Sequence, residues 1–126
     1  MSDSVCRIGL VGVGTIGAGI VECLSQRRDL LLRRSGVEVI LGKVADVDRQ
    51  KALDAGVPEA DLVDDYEAVV RDADTDIVVE LVGGTGVAHD IVRAALEAGK
   101  PVVTANKALL AERGAELFSI AEKRDL

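Results

Sequence analysis

The hexapeptide Gly12-Val13-Gly14-Thr15-Ile16-Gly17 constrains this chain more than any other segment. It matches G-x-G-x-x-G. It directly follows an apolar run, RIGLV at residues 7–11, and opens a stretch with helical spacing. That strand–turn–helix setting is what gives the pattern meaning. Gly12 is expected to allow a tight turn, Gly14 to admit a pyrophosphate to the backbone, and Gly17 to let the helix pack close to the sheet. The free N–H groups and positive dipole end of that helix then face the phosphates. The competing reading of the pattern alone is a glycine turn with no ligand.

Strand and helix patterns alternate from here to the end of the chain. Residues 15–34 carry Ile16, Ile20, Cys23, Leu24, Leu30 and Leu31 near one side at helical spacing, and Ser35-Gly36 ends that helix. Residues 37–45 read as a second strand, 49–55 as a short helix stopped by Gly56, and Leu62-Val63 as a brief third strand. Asp64 or Asp65 then caps a helix running to residue 71. The run IVVELV, residues 77–82, is nearly all apolar, the mark of a central parallel strand covered on both faces. A helix over 87–98 is closed by Gly99, a strand occupies 102–104, and a final helix spans 108–123. The expected fold class is α/β, a doubly wound parallel sheet forming a Rossmann dinucleotide-binding domain.

Composition narrows the partners. The 126 residues make one domain of ordinary size. Hydrophobic residues are 48% of the chain, with one Tyr, one Phe and no Trp, so the core is expected to be aliphatic. A net charge of −7 offers no basic footprint for nucleic acid. No apolar run reaches membrane-spanning length and no charged leader precedes a hydrophobic signal core, so no membrane association is expected. Cys6 and Cys23 are too few for a disulfide framework and read as small buried hydrophobes in a reducing cytoplasm. No Cys/His cluster suggests a metal site.

Ligands of doubly wound sheets lie outside the carboxyl ends of the strands. Asp46 directly follows the second strand and is the candidate for hydrogen-bonding the ribose of NAD. It comes 29 residues after Gly17, longer than the usual spacing of about 20, and the RRDLLLRRSG segment accounts for the excess. The competing reading leaves Asp46 solvated and gives Asp48 the cap of the next helix. Arg49 nearby is a candidate for the 2′-phosphate of NADP. After the fourth strand comes Val82-Gly83-Gly84-Thr85-Gly86, a loop with little side chain to obstruct a cofactor. Glu80, just before it, is either a site residue or the partner of a nearby cation. His89, the only histidine, reads as a solvated first-turn residue. After the fifth strand come Thr104, Asn106 and Lys107, polar groups placed where an apolar sheet meets a helix. Lys107 is either a solvated helix-start residue or a charge held over a site.

Three segments, GVGTIGAGIV, VELVGG and AGKPVVTANKALLAE, resemble the amino-terminal domain of homoserine dehydrogenase, and TANKALLA is the most specific part. The resemblance runs over nearly the whole chain. It implies NAD(P) binding here, with a carboxyl-terminal domain supplying the homoserine site, most of a dimer interface and further catalytic residues. It implies interconversion of L-homoserine and L-aspartate 4-semialdehyde, on the route to threonine, methionine and isoleucine, by a cytoplasmic homo-oligomer. Gly12, Gly14, Thr15, Ile16 and Gly17 match the family's cofactor loop. Thr104 matches a position near the nicotinamide, Gly83 and Asn106 belong with it among the cofactor-binding candidates, and Lys107 matches the lysine implicated in catalysis. The GGTGVAHD segment departs from the family after the paired glycines, so no contact is carried over to Thr85. VADVD, where many members carry a basic residue, favours NAD over NADP.

Two other readings compete. A sugar or cyclitol dehydrogenase also places a lysine after the fifth strand, but usually within Glu-Lys-Pro, where this chain has Asn106-Lys107-Ala108. A non-catalytic nucleotide sensor needs the glycine loop and Asp46 but has no use for Thr104, Asn106 and Lys107 together. The chain ends at FSIAEKRDL directly after a helix. The expectation is therefore one NAD(P)-binding domain, residues 1–126, of a longer protein whose substrate and dimerisation domain lies outside it.

Overall fold

A computed structural model describes residues 4–126. Five parallel strands form one sheet: β1 (Val5–Val11), β2 (Glu38–Ala45), β3 (Leu62–Val63), β4 (Ile77–Glu80) and β5 (Val102–Thr104). Their spatial order is β3-β2-β1-β4-β5. The chain steps outward from β1 to β3, then returns to the other side of β1 to lay down β4 and β5. The reversal leaves a crevice between β1 and β4 at their carboxyl ends, where doubly wound sheets hold ligands. Six α-helices accompany the strands among the described residues: α1 (Thr15–Gln26), α2 (Arg28–Ser35), α3 (Arg49–Asp54), α4 (Tyr66–Val70), α5 (Val87–Glu97) and α6 (Lys107–Lys123).

The two-residue alternation of β1 divides the core. Ile8 and Leu10 face one side of the sheet, with Val44 and Val79, and pack on Val21 of α1 and Ala52 of α3. Val11 faces the other side, with Ala45 and Val78, against Val69 and Val70 of α4 and Ile91 and Ala95 of α5. Gly9 lies on that second side because nothing larger fits: a Cβ there would lie 2.6 Å from Val69 and 2.7 Å from Thr75. A third cluster joins α5 to α6 through Ala88, Val92, Leu96, Leu109 and Leu117. β2 carries one extra residue between Leu41, paired with Ile8, and Val44, paired with Leu10. This bulge at Gly42-Lys43 puts Leu41 and Val44 on the same face, which strict alternation would forbid.

The residues expected to form a single helix over 15–34 form two. Arg27 leaves helical geometry (φ −112°, ψ 19°), and α2 then packs along β2. Gly36 ends α2 in the left-handed region (φ 75°), as its position implied. The buried stripe of α1 is also rotated from the expected one. It is centred on Gly17 and Val21, while Ile16 is 60% exposed and Cys23 is exposed. Glycine at 17 brings the helix closest to the sheet there, which turns Ile16 and Cys23 outward. Cys6 is only half-buried. β4 ends at Glu80, two residues early, because the Val82 N–H donates to the Glu80 carboxylate (2.7 Å).

His89 is buried, at 6% exposure, contrary to the solvated reading. The α6 helix crosses the first turn of α5 and covers it, and His89 Nε2 lies 3.2 Å from Glu116 on α6. Sequence periodicity within α5 holds no record of that neighbour. On the far side, β5 is an edge strand. Val103, Leu110 and Phe118 leave an apolar face beside it, at 57%, 37% and 65% exposure.

A Cβ at Gly17 would overlap the Gly12 carbonyl oxygen, whereas one at Gly14 would meet nothing within 4 Å. Gly17→Ala is therefore expected to lower stability by about 3 kcal/mol, the upper end of the overpacking range, because the opposing atom is backbone. Gly14→Ala should lower it by about 1 kcal/mol or less, the weaker capping of alanine. Urea denaturation of both variants measures this, and the reverse order would refute the close approach.

Candidate functional site

The glycine loop leaves β1 through Gly12, whose φ of 98° is open to glycine and rarely to other residues. A Cβ there would lie 2.9 Å from the Leu81 carbonyl carbon, so the loops after β1 and β4 touch backbone to backbone. Gly14 is the amino-terminal cap of α1, and no side chain caps that end. The first-turn N–H groups are thus left for another acceptor, at the positive end of the helix dipole. Gly14 is extended (φ −82°, ψ −155°), a conformation open to other residues. Neither its conformation nor its neighbours demand glycine, and the absence of a side chain leaves the α1 terminus open.

Asp46 is half-buried at the end of β2. One carboxylate oxygen accepts from the Val13 N–H (2.6 Å) and the other from the Asp48 N–H (2.8 Å). The acid thereby fastens the glycine loop to β2. Each oxygen keeps a free lone-pair site for a further donor. Asp48 does cap α3, accepting from the Lys51 N–H at 3.1 Å, but Asp46 is not merely solvated. Arg49 lies 3.6 Å from Glu59 in an exposed ion pair.

Two cavities lie along the carboxyl ends of the strands. The larger, about 340 Å³, is lined by Gly12, Gly14, Asp46, Lys51, Asp64 and Tyr66 among others. The smaller, about 300 Å³, is lined by Ile16, Ala105, Asn106 and Lys107. Both share Leu81, Val82 and Gly83, so they adjoin across the loop after β4. Their pairing fits a molecule of two linked nucleosides, with the uncapped α1 terminus beside the junction. Gly83 has nothing within 4 Å of a Cβ position, so it too is open toward the cleft. Sequence reading missed Lys51, Tyr66 and Leu81 as lining residues, and took Asp64 and Asp65 only as possible helix caps. It is Asp65 that caps α4, through the Ala68 N–H (3.1 Å).

The far end of the cleft is ordered by a hydrogen-bond circuit. Glu80 is wholly buried, and no cation pairs with it among the described residues. Thr104 donates its hydroxyl to Glu80 (2.6 Å) and accepts from the Asn106 N–H (3.0 Å). The Asn106 amide donates to the carbonyls of Val82 and Gly84, and its oxygen accepts from the Leu109 N–H to cap α6. The hydroxyl of Thr104 is thus directed into the circuit, and Thr104 lines neither cleft cavity. Thr15 is exposed but lines neither cavity. Lys107 is exposed and is the first residue of α6, one position earlier than expected. A cation at this end of a helix is disfavoured by about 0.3–1 kcal/mol. With Gly12, Gly14, Ile16, Gly17, Asp46, Gly83 and Asn106, it completes the set that the fold gathers at this edge of the sheet.

Comparison with known proteins gives one answer. The family model described as "Homoserine dehydrogenase, NAD binding domain" matches residues 12–126. The homoserine dehydrogenase of Neisseria gonorrhoeae is 44% identical over 120 residues, 95% of this chain and 27% of that protein. That of Methylobacillus glycogenes is 39% identical over 94% of this chain and 29% of its own length. The crystal structure of a homoserine dehydrogenase from Thiobacillus denitrificans superposes with a TM-score of 0.89 at 37% identity, covering 97% of this chain and 28% of that one. The chain thus spans little more than a quarter of the length of these relatives. The comparisons do not favour a sugar or cyclitol dehydrogenase or a sensor.

Burial raises the Glu80 carboxyl above its ordinary value of 4.5, and the bonds from Thr104 and Val82 pull only partly the other way. The folded protein therefore holds this proton more tightly than the unfolded chain does. The stabilisation is fully present below about pH 4.5 and is lost as pH rises through the folded value. The stability of the native protein relative to Glu80→Gln is expected to decline as pH rises above about 4.5. Other carboxylates cancel in that difference. Parallel urea titrations of the two proteins measure it, and a flat or rising difference would contradict it.

Proposed function

We propose a role for each end of this cleft from one premise: the chain belongs to the homoserine dehydrogenase family, as its NAD-binding domain. The larger cavity takes the adenosine half of a nicotinamide dinucleotide, with Asp46 accepting from the ribose hydroxyls. The α1 terminus, with Gly12, Gly14, Thr15, Ile16 and Gly17, takes the pyrophosphate. The smaller cavity, at Gly83, Asn106 and Lys107, takes the nicotinamide half, with Thr104 holding Asn106 in place. The observation that carries this reading is the pair of adjoining cavities meeting beside an uncapped helix end.

The reaction is the interconversion of L-homoserine and L-aspartate 4-semialdehyde, within the synthesis of threonine, methionine and isoleucine. It is carried out by a longer, homo-oligomeric cytoplasmic enzyme in which another domain holds the substrate. The bound cofactor supplies the hydride acceptor or donor. The residues of this chain fix its position and manage a proton. Removing hydride from the alcohol carbon requires loss of the hydroxyl proton, and Lys107 stands at the cavity where that oxygen arrives. Its amine takes or relays the proton, or its charge stabilises the developing oxyanion.

NAD is the preferred cofactor over NADP. Asp46, Asp64 and Asp65 line the adenosine cavity against the single cation Lys51 among the described residues, and Arg49 is not in its lining. A 2′-phosphate there meets more negative charge than positive. Asp46→Asn can keep the bond to Val13 while removing the charge, so it is expected to narrow or reverse the preference for NAD. Calorimetric titration of both cofactors tests this, and a native protein that binds NADP more tightly would refute the assignment.

Lys107→Ala in the complete enzyme is expected to lower kcat by about 10²–10⁴-fold, with NAD affinity nearly unchanged because the pyrophosphate site is intact. Arginine keeps the charge but cannot act as a base, so recovery in Lys107→Arg would assign charge stabilisation. Homoserine-dependent NADH production with a normal kcat and pH profile in Lys107→Ala would remove Lys107 from the chemistry.

A further inference from the structure

The proposed chemistry gives no role to Glu80, the one wholly buried ionisable group among the described residues. Its carboxylate is fully enclosed at the carboxyl end of β4, paired in register with Thr104 of β5. It makes no ion pair among the described residues, so it does not serve as a counter-ion. It bridges two chain segments instead. One oxygen holds the Val82 N–H, within the loop that follows β4, and the other holds the Thr104 hydroxyl, within the turn that leads to α6. Thr104 in turn holds the Asn106 N–H, and Asn106 reaches back to the carbonyls of Val82 and Gly84. The bonds close a ring that runs Glu80, Thr104, Asn106, Val82 and back to Glu80. The two segments it joins carry Val82 and Gly83 on one side and Asn106 and Lys107 on the other, four residues lining the smaller cavity.

We propose that Glu80 is a positioning residue that fixes the spacing between the β4–α5 loop and the β5–α6 turn, and so sets where Lys107 meets the nicotinamide end of the cleft. Glu80 touches neither cofactor nor substrate and acts through Thr104 and Asn106. The inference rests on the reading of this cleft as a nicotinamide dinucleotide site. The ring needs a side chain with two polar atoms at position 80, and glutamine supplies them. Its carbonyl can accept from Val82 while its amide donates to the Thr104 hydroxyl oxygen, one bond of the ring being reversed. Alanine supplies neither and leaves the Val82 N–H and the Thr104 hydroxyl without their partner. The adenosine end has a second fastening of its own, through Asp46 and Val13.

The test compares Glu80→Ala, Glu80→Gln and Thr104→Val with the native protein, in the complete enzyme. Amide hydrogen exchange without ligand, affinities for ADP-ribose and NADH, and kcat and KM for homoserine are measured. Glu80→Ala should speed exchange in residues 82–84 and 105–107 together. Misplacement of reacting groups by about 1 Å can lower rates by about 100-fold, so kcat should fall by roughly 10- to 100-fold. NADH affinity should fall by a larger factor than ADP-ribose affinity, because residues 82 and 83 line both cavities whereas Asn106 and Lys107 line only the smaller one. Glu80→Gln should restore most of what alanine loses. Thr104→Val keeps the side-chain shape but removes the hydroxyl joining Glu80 to Asn106. It should loosen the same two segments, and it decides the matter if the alanine variant does not fold. Unchanged exchange in Glu80→Ala, or in Thr104→Val where alanine does not fold, overturns the proposal. So does a glutamine variant as impaired as alanine, which would make the charge rather than the geometry responsible. Failure of the native enzyme to oxidise homoserine would count against the proposed function, and the exchange data, taken without ligand, would still decide the role of Glu80.

Discussion

The contact on which the whole arrangement hangs is the approach of α1 to the turn after β1, where Gly17 faces the carbonyl of Gly12 with no side chain between them. That approach fixes how far α1 lies from the sheet and where its amino end points. Gly12, in turn, is pressed against the Leu81 backbone, so the loops after β1 and β4 meet without intervening side chains. Three backbones converge at one place. A site made this way offers N–H groups and a helix dipole held by the main chain rather than by flexible side chains, which suits recognition of a phosphate. Asp46 completes it by tying the Val13 N–H to the end of β2.

The parts legible in the sequence were those whose cause is local. The glycine hexad, the apolar run of β4 and the Gly36 stop each announce themselves in a few residues, and the parallel fold follows from their alternation. The parts that were not legible depend on neighbours distant in the chain. Cys23 and Ile16 carry the hydrophobicity of a buried stripe, but the close contact at Gly17 rotates the stripe away from them. His89 lies in an ordinary first turn, and only the passage of α6 over it brings Glu116 to its ring. The break at Arg27 has no Gly or Pro to signal it. In the site, Asp46 and Lys107 fall near the strand ends and could be found by position. The inward turn of Thr104 could not, because it depends on Glu80 lying opposite in the register.

Two placements run against elementary preference: a carboxylate enclosed in the core at Glu80 and an ammonium at the positive end of α6 at Lys107. Both lie at the carboxyl end of the sheet, on adjacent strands or just beyond them. Departures from local rules concentrate where function is exercised, and the surrounding structure compensates for them. Here the compensation is visible in part. Glu80 is satisfied by two donors, and the capping of α6 by Asn106 offsets the unfavourable charge that follows it.

The outer edge of β5, with Val103, Leu110 and Phe118 alongside, has a colloidal consequence. An unpaired strand flanked by apolar side chains is adhesive toward a second copy of itself. The chain's charge of −7 opposes that adhesion by keeping copies apart. Such repulsion reaches only about 10 Å in 0.1 M salt, and it vanishes as the pH approaches the isoelectric point near 4.7. Net charge, a property spread over the whole surface, thus opposes an adhesion confined to one strand.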